Sequence, residues 1–190
     1  MCGITGIIRQ DASISLDKYY QAHLTIKHRG PDDEGFVIKT RAGKMVPCRG
    51  KDTISELQNL PDIRSQSSTK MVLGHRRLSI LDRTYQGHQP FYFEGLWLIY
   101  NGEVYNYIEI RGELQNQGYR FETKTDTEVV IKAYHCWGTD AFSKFNGMWG
   151  MAIYEEANDR LILSRDRFGI KPLYYCLNNT EFLFASEVKF

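Results

Sequence analysis

A chain of 190 residues with 42% apolar and 25% charged side chains has the length and composition of one globular domain with room for a sizeable core. Its formal net charge of +1 gives no ground for a nucleic-acid or anionic-membrane partner, and no apolar run approaches the length of a bilayer span. The N-terminus lacks a basic region followed by an apolar stretch, and the dispersed Cys2, Cys48, Cys136 and Cys176 form no CxxC pair. That pattern speaks against a disulfide framework or a zinc site and makes reducing cytoplasm the expected setting.

In chain order, residues 3–9 form an apolar run of strand length and 16–27 reads as an amphipathic helix. Segments 35–39, 71–80 and 96–100, rich in Val, Ile, Leu and aromatics, predict strands. The polar stretch 40–70, with Gly43, Pro47, Gly50 and Pro61, is too long for a simple connection and is expected as an inserted loop. Residues 107–117 read as a helix stopped by Gly118. A further helix over 127–137 is expected, opened by Asp126 as N-cap and closed by Gly138. Segments 149–154, 160–165, 173–177 and 181–185 predict antiparallel strands, with turn chemistry at Asn158-Asp159 and Asn178-Asn179. No repeat or domain boundary interrupts 1–190. None of the five histidines forms an HxxxH or HExxH pair, so no metal site is expected; His23 and His135 read as surface or hydrogen-bonded core residues.

The start, Met1-Cys2-Gly3-Ile4-Thr5-Gly6-Ile7-Ile8, places a thiol directly behind the initiator methionine. If Met1 is removed, as the small side chain behind it should allow, thiol and α-amine share one residue. An α-amine titrating at about 7.7–8.0 suits a base near neutral pH, so a terminal residue can be nucleophile and base together. The alternative is a small apolar residue at the start of a strand.

Five further segments need a joint explanation: His28-Arg29-Gly30-Pro31-Asp32, Gly74-His75-Arg76-Arg77-Leu78-Ser79-Ile80-Leu81-Asp82, Tyr100-Asn101-Gly102-Glu103-Val104-Tyr105-Asn106, Thr125-Asp126-Thr127-Glu128-Val129, and Arg165-Asp166-Arg167-Phe168-Gly169-Ile170-Lys171-Pro172-Leu173-Tyr174-Tyr175. Together with the Cys2 start, and in this order, they closely resemble the glutaminase domain of class II glutamine amidotransferases, nearest to the asparagine synthetase branch. The resemblance covers the chain except 40–70. It implies an α+β fold: a four-layer α-β-β-α sandwich of two mainly antiparallel sheets, the N-terminal nucleophile hydrolase fold.

It also implies hydrolysis of the side-chain amide of free L-glutamine by acyl transfer to Cys2. In the family pattern Arg77 holds the α-carboxylate, a task suited to a guanidinium fork. Arg76 beside it is expected on the opposite face as a solvated charge. Leu78, Ser79, Ile80 and Leu81 line the glutamine pocket. Asn101 and Gly102 form the oxyanion hole, although Asn-Gly alone would read as a hairpin turn. Glu103 contributes to the pocket. Asp126 pairs with the α-ammonium, although an aspartate ahead of a helix is usually only a cap. The segments at 28–32 and 167–172 are expected as turn and packing elements.

No cofactor is expected in this chain, because no Ser-Gly-Gly-x-Asp-Ser loop for ATP pyrophosphate occurs in it. ATP and Mg are expected only on a partner synthetase domain or subunit, fused or separate, and the resemblance leaves room for a homodimer. Two rivals stay open: the glutaminase half of another class II enzyme, such as one for glucosamine-phosphate or phosphoribosylamine synthesis, and a silent domain that docks or regulates a synthetase.

Overall fold

In the computed structural model, residues 1–10, 13–67, 69–79 and 84–190 are described. In chain order the main elements are β1 (Gly3–Arg9), α1 (Leu16–Leu24), β2 (Asp33–Thr40), β3 (Met45–Cys48), β4 (Thr69–Arg77), β5 (Phe91–Phe93), β6 (Leu96–Val104), α2 (Tyr107–Asn116), α3 (Asp126–Trp137), α4 (Ala141–Lys144), β7 (Gly147–Glu155), β8 (Arg160–Arg165), β9 (Tyr174–Leu177) and β10 (Glu181–Ala185). One antiparallel sheet runs β3-β2-β4-β1-β10-β9 and the other β5-β6-β7-β8.

Side-chain alternation along the strands builds the layers. Ile4, Val37, Met71 and Leu73 of the first sheet meet Trp97, Ile99, Ala152 and Tyr154 of the second, forming the core between them. The opposite face of the first sheet presents Ile7, Phe36, Ile38 and Val72 to Leu16, Tyr19 and Tyr20 of α1. The outer face of the second sheet buries Leu98, Met151 and Ile153 against α2 and α3. The result is the α+β, four-layer α-β-β-α sandwich that the resemblance implies.

Several elements differ from expectation. The helix expected over 16–27 ends at Leu24, where the Thr25 hydroxyl donates to the Ala22 carbonyl; a 3-10 turn at Lys27–Arg29 follows. Asn101-Gly102 lies inside β6, paired with Gly150 and Trp149, and is no hairpin turn. The hairpin into β6 is made by Glu94-Gly95, both at positive φ, which joins it to the unforeseen β5. The strand expected over 71–80 runs from Thr69 to Arg77, and its residue 80 lies outside the described residues. The stretch 40–70, expected as a loop, carries β3 and two 3-10 turns and buries Cys48 and Ile63 in the α1 core.

That stretch also overturns the expectation for Arg76. The side chain does point away from that of Arg77, but it is fully buried rather than solvated. Its guanidinium donates to Glu34 at 2.8 Å and to Asp52 at 2.9 and 3.0 Å. Sequence alternation correctly gave the face but not what covers it. Breaking such a pair typically costs about 3–5 kcal/mol, because the surviving charge is left buried.

Candidate active site

Two neighbouring strands and a loop bring Cys2 and Arg77 to one end of the sandwich. Gly3 pairs with Arg76 across β1 and β4, so Cys2, just ahead of β1, lies beside the chain leaving β4. The Leu78 N–H donates to Cys2 Sγ at 3.4 Å, and Sγ lies 3.8 Å from the Leu78 carbonyl. Burial pushes the Cys2 thiol up, opposed by the Leu78 backbone, the terminal ammonium and Arg77. Cys2 opens onto a cavity of about 200 Å³ that Met1, Arg77, Leu78, Asn101, Gly102, Glu103 and Asp126 also line.

Asn101 is 1% exposed, and its Nδ2 has no hydrogen-bond partner among the described residues. A buried donor left unmade costs about 1–3 kcal/mol. Asn101 lines the same cavity as Cys2, and an unpaired amide there could donate to an incoming acceptor. Gly102 is demanded by packing: a Cβ there would lie 2.4 Å from the Met148 carbonyl oxygen and 2.6 Å from the Tyr100 ring.

Asp126 is the first residue of α3 and not its cap. Thr125 caps the helix by accepting from the Glu128 N–H. That frees the Asp126 carboxylate, whose Oδ2 accepts from the Tyr100 hydroxyl at 2.9 Å and the Val104 N–H at 3.1 Å. Burial raises its pKa, opposed by those two hydrogen bonds. A cation arriving beside this carboxylate would favour its ionised form. In the same cavity, Arg77 donates to the Thr84 carbonyl at 2.8 Å, and Gly87 lies so close that any Cβ would strike the guanidinium.

Of the two described residues in the expected pocket segment 78–81, Leu78 lines the cavity. Ser79 does not: its N–H is taken by Asp32 Oδ2 at 2.8 Å. Ile80 and Leu81 lie outside the described residues. The sequence reading missed Gln89, Tyr100, Thr125, Met148 and Lys171, which line the same cavity. Tyr100 and Lys171 sit within segments already singled out, but their contact with the cavity depends on distant chain. Gln89 holds the Tyr100 N–H at 2.7 Å and had no local signal.

The chain is similar to known proteins in both sequence and fold. A sequence model described as a glutamine amidotransferase domain matches residues 55–190. A putative asparagine synthetase (glutamine-hydrolyzing) of Methanocaldococcus jannaschii is 35% identical, covering 100% of this chain and 34% of its own length. Asparagine synthetase (glutamine-hydrolyzing) 1 of Bacillus subtilis is likewise 35% identical, over 100% of this chain and 26% of its own length. The chain thus spans about a quarter to a third of the length of these relatives. Among solved structures, the glutamine phosphoribosylpyrophosphate amidotransferase from B. subtilis superposes with a TM-score of 0.78 at 25% identity. It covers 98% of this chain and 42% of that one.

Proposed function

The chain belongs to the glutamine amidotransferase domain family, and from that premise we propose that it hydrolyses the side-chain amide of free L-glutamine through Cys2. The observation that carries the reading is the buried Asn101 Nδ2, unpartnered among the described residues, on a side chain that lines one cavity with Cys2. Cys2 Sγ attacks the amide carbon, and the carbonyl electron pair moves onto oxygen, where Asn101 Nδ2 and the Gly102 N–H donate. Collapse of that intermediate breaks the C–N bond. The nitrogen takes the proton the thiol gave up, relayed by the Cys2 α-amine, and leaves as ammonia. Water then attacks the thioester, releasing glutamate and restoring the thiol.

Arg77 and Asp126 bind the α-carboxylate and α-ammonium, with Leu78 and Glu103 along the pocket. The arrangement selects a free amino acid over a peptide-linked glutamine. Ammonia release from glutamine, paired with labelling by a glutamine analogue carrying an electrophile at its side-chain carbon, tests the reading. Label should appear on Cys2 alone. Cys48 is buried with its thiol pushed up to about 12, and neither Cys136 nor Cys176 lines the cavity. Labelling elsewhere, or full activity in Cys2→Ala, would sink it; an inert wild-type chain would be a docking domain.

Substrate grip gives a second expected result. Arg77→Lys keeps the charge but loses the planar fork, so the glutamine KM rises about tenfold or more while kcat changes less. Because Asp126 has a raised pKa, lowering the pH protonates it before an ordinary aspartate. KM should therefore climb on the acid side starting above the usual aspartate range, and Asp126→Asn should flatten that limb at a uniformly high KM. Normal KM values in both variants would place the pocket elsewhere.

The reading extends to a partner. β9 is exposed along its length, and Phe168, Ile170, Tyr175, Leu177 and Val188 are exposed on residues 168–188. Such a run of apolar side chains beside a strand that is the edge of its sheet among the described residues is unusual for a surface that faces only water. The relatives are three to four times longer than the matched stretch. We assign this face to an ATP-dependent synthetase domain or subunit, with ATP and Mg on that side and ammonia as the product passed to an asparagine-synthetase-like amidation. Glutamine hydrolysis should rise when such a synthetase, its acceptor and ATP are added, and Leu177→Asp should abolish the rise. An unchanged rate would describe a glutaminase acting alone.

A further inference from the structure

The ladder between β1 and β10 stops at Thr5 opposite Ala185, which leaves residues 2–4 without a strand neighbour on that side. The segment that follows β10 takes over. The Ser186 N–H donates to the Ile4 carbonyl at 2.9 Å, and the Ile4 N–H donates to Ser186 Oγ at 3.0 Å, with Ser186 fully buried. One residue further on, Glu187 Oε1 accepts from Arg29 Nη1 at 3.0 Å, while Arg29 Nε donates to the Cys2 carbonyl at 3.0 Å. Gly3 makes room for this: a Cβ there would lie 3.4 Å from Arg29 Cδ and 2.8 Å from Ile26 Cδ1.

Arg29 is nearly buried, its side chain 9% exposed, and its Nη2 has no partner among the described residues. Glu187 is therefore the one carboxylate bonded to this guanidinium among the described residues. It is itself fixed by His28 at 2.8 Å and Lys189 at 3.1 Å. Burial would raise the Glu187 carboxyl, but hydrogen bonds from Arg29, Lys189 and His28 hold it down at about 2. The carboxylate is thus charged throughout the working pH range.

Chain termini fray unless something ties them down. A nucleophile within two residues of the terminus needs its backbone held, because a misplacement of about 1 Å in a reacting group can cost on the order of 10²-fold in rate. We propose that Glu187 is a positioning residue for the Cys2 nucleophile, acting by locking Arg29 onto the Cys2 carbonyl. The segment 28–32, read from sequence as turn and packing, thereby acquires a role, and so does the chain just after β10. The proposal rests on the reading of Cys2 as the glutamine-attacking thiol.

The test uses the 190-residue chain freed of Met1, with Glu187→Ala and the milder Glu187→Gln, which keeps an acceptor for Arg29. The electrophilic glutamine analogue reports inactivation rate and binding constant separately, and steady-state glutamine hydrolysis reports kcat and KM. Glu187→Ala should lower kcat and the inactivation rate constant tenfold or more, while KM and the analogue's binding constant stay within about twofold, because Arg77 and Asp126 are untouched. Glu187→Gln should fall between Glu187→Ala and wild type. If Glu187→Ala does not fold, Glu187→Gln decides alone, and a wild-type inactivation rate in it overturns the proposal. So does an unchanged kcat in Glu187→Ala, or a loss confined to KM. An inert wild-type chain would instead overturn the glutaminase reading beneath it, and the proposal with it.

Discussion

A preparation that keeps Met1 releases ammonia from glutamine on the order of 10²-fold or more slowly than one that begins at Cys2. General-base assistance is worth roughly 10²–10⁴-fold, and here the base is the α-amine of the nucleophile's own residue. With Met1 in place that nitrogen belongs to a peptide bond and has no basicity. The handicap is compounded in two ways. Burial already pushes the Cys2 thiol up, so little thiolate forms unaided. Met1 itself also lines the cavity that the substrate must enter. Intact-mass measurement paired with the ammonia assay on the same sample decides the matter. A Met1-bearing protein that turns over normally would refute the amine-base mechanism while leaving Cys2 as nucleophile.

Asn101→Ala lowers kcat by about 10²–10³-fold with little change in KM. The reason is the state of the side chain before substrate arrives: its Nδ2 is buried and bonded to nothing among the described residues. A donor held in that way returns its desolvation cost only when charge develops on the substrate oxygen, so its loss falls on the transition state and not on the ground state. A second readout separates this from a folding defect. Removing an unsatisfied buried donor relieves a penalty instead of creating one, so the melting temperature of Asn101→Ala should be unchanged or higher. Equal losses in KM and kcat with a lowered melting temperature would mean that Asn101 is a structural amide.

The strands and helices were legible because their signals are local. Period-two alternation correctly assigned Arg76 and Arg77 to opposite faces, and turn chemistry at Asn158-Asp159 and Asn178-Asn179 correctly separated β7 from β8 and β9 from β10. The weak strands β3 and β5 were not legible, because four and three residues carry too little pattern to stand out from their polar surroundings. The helix cap was misplaced by one residue. Thr125 and Asp126 are both good caps, and only the position of the Tyr100 hydroxyl and the Val104 N–H explains why the aspartate is turned away from that duty.

By itself the sequence determined which chemistry-bearing residues exist and in what order: a thiol at position two, Arg77, Asn101-Gly102 and Asp126, each in a recognisable local setting. Tertiary structure alone decided what surrounds them. Asp52, 24 residues away in a stretch without strong pattern, turns Arg76 into a buried ion pair. Glu187, 158 residues from Arg29, completes the tie on Cys2. The physical reason is that side-chain periodicity specifies a face, whereas burial, desolvation and an unpaired donor depend on whichever distant segment closes over it.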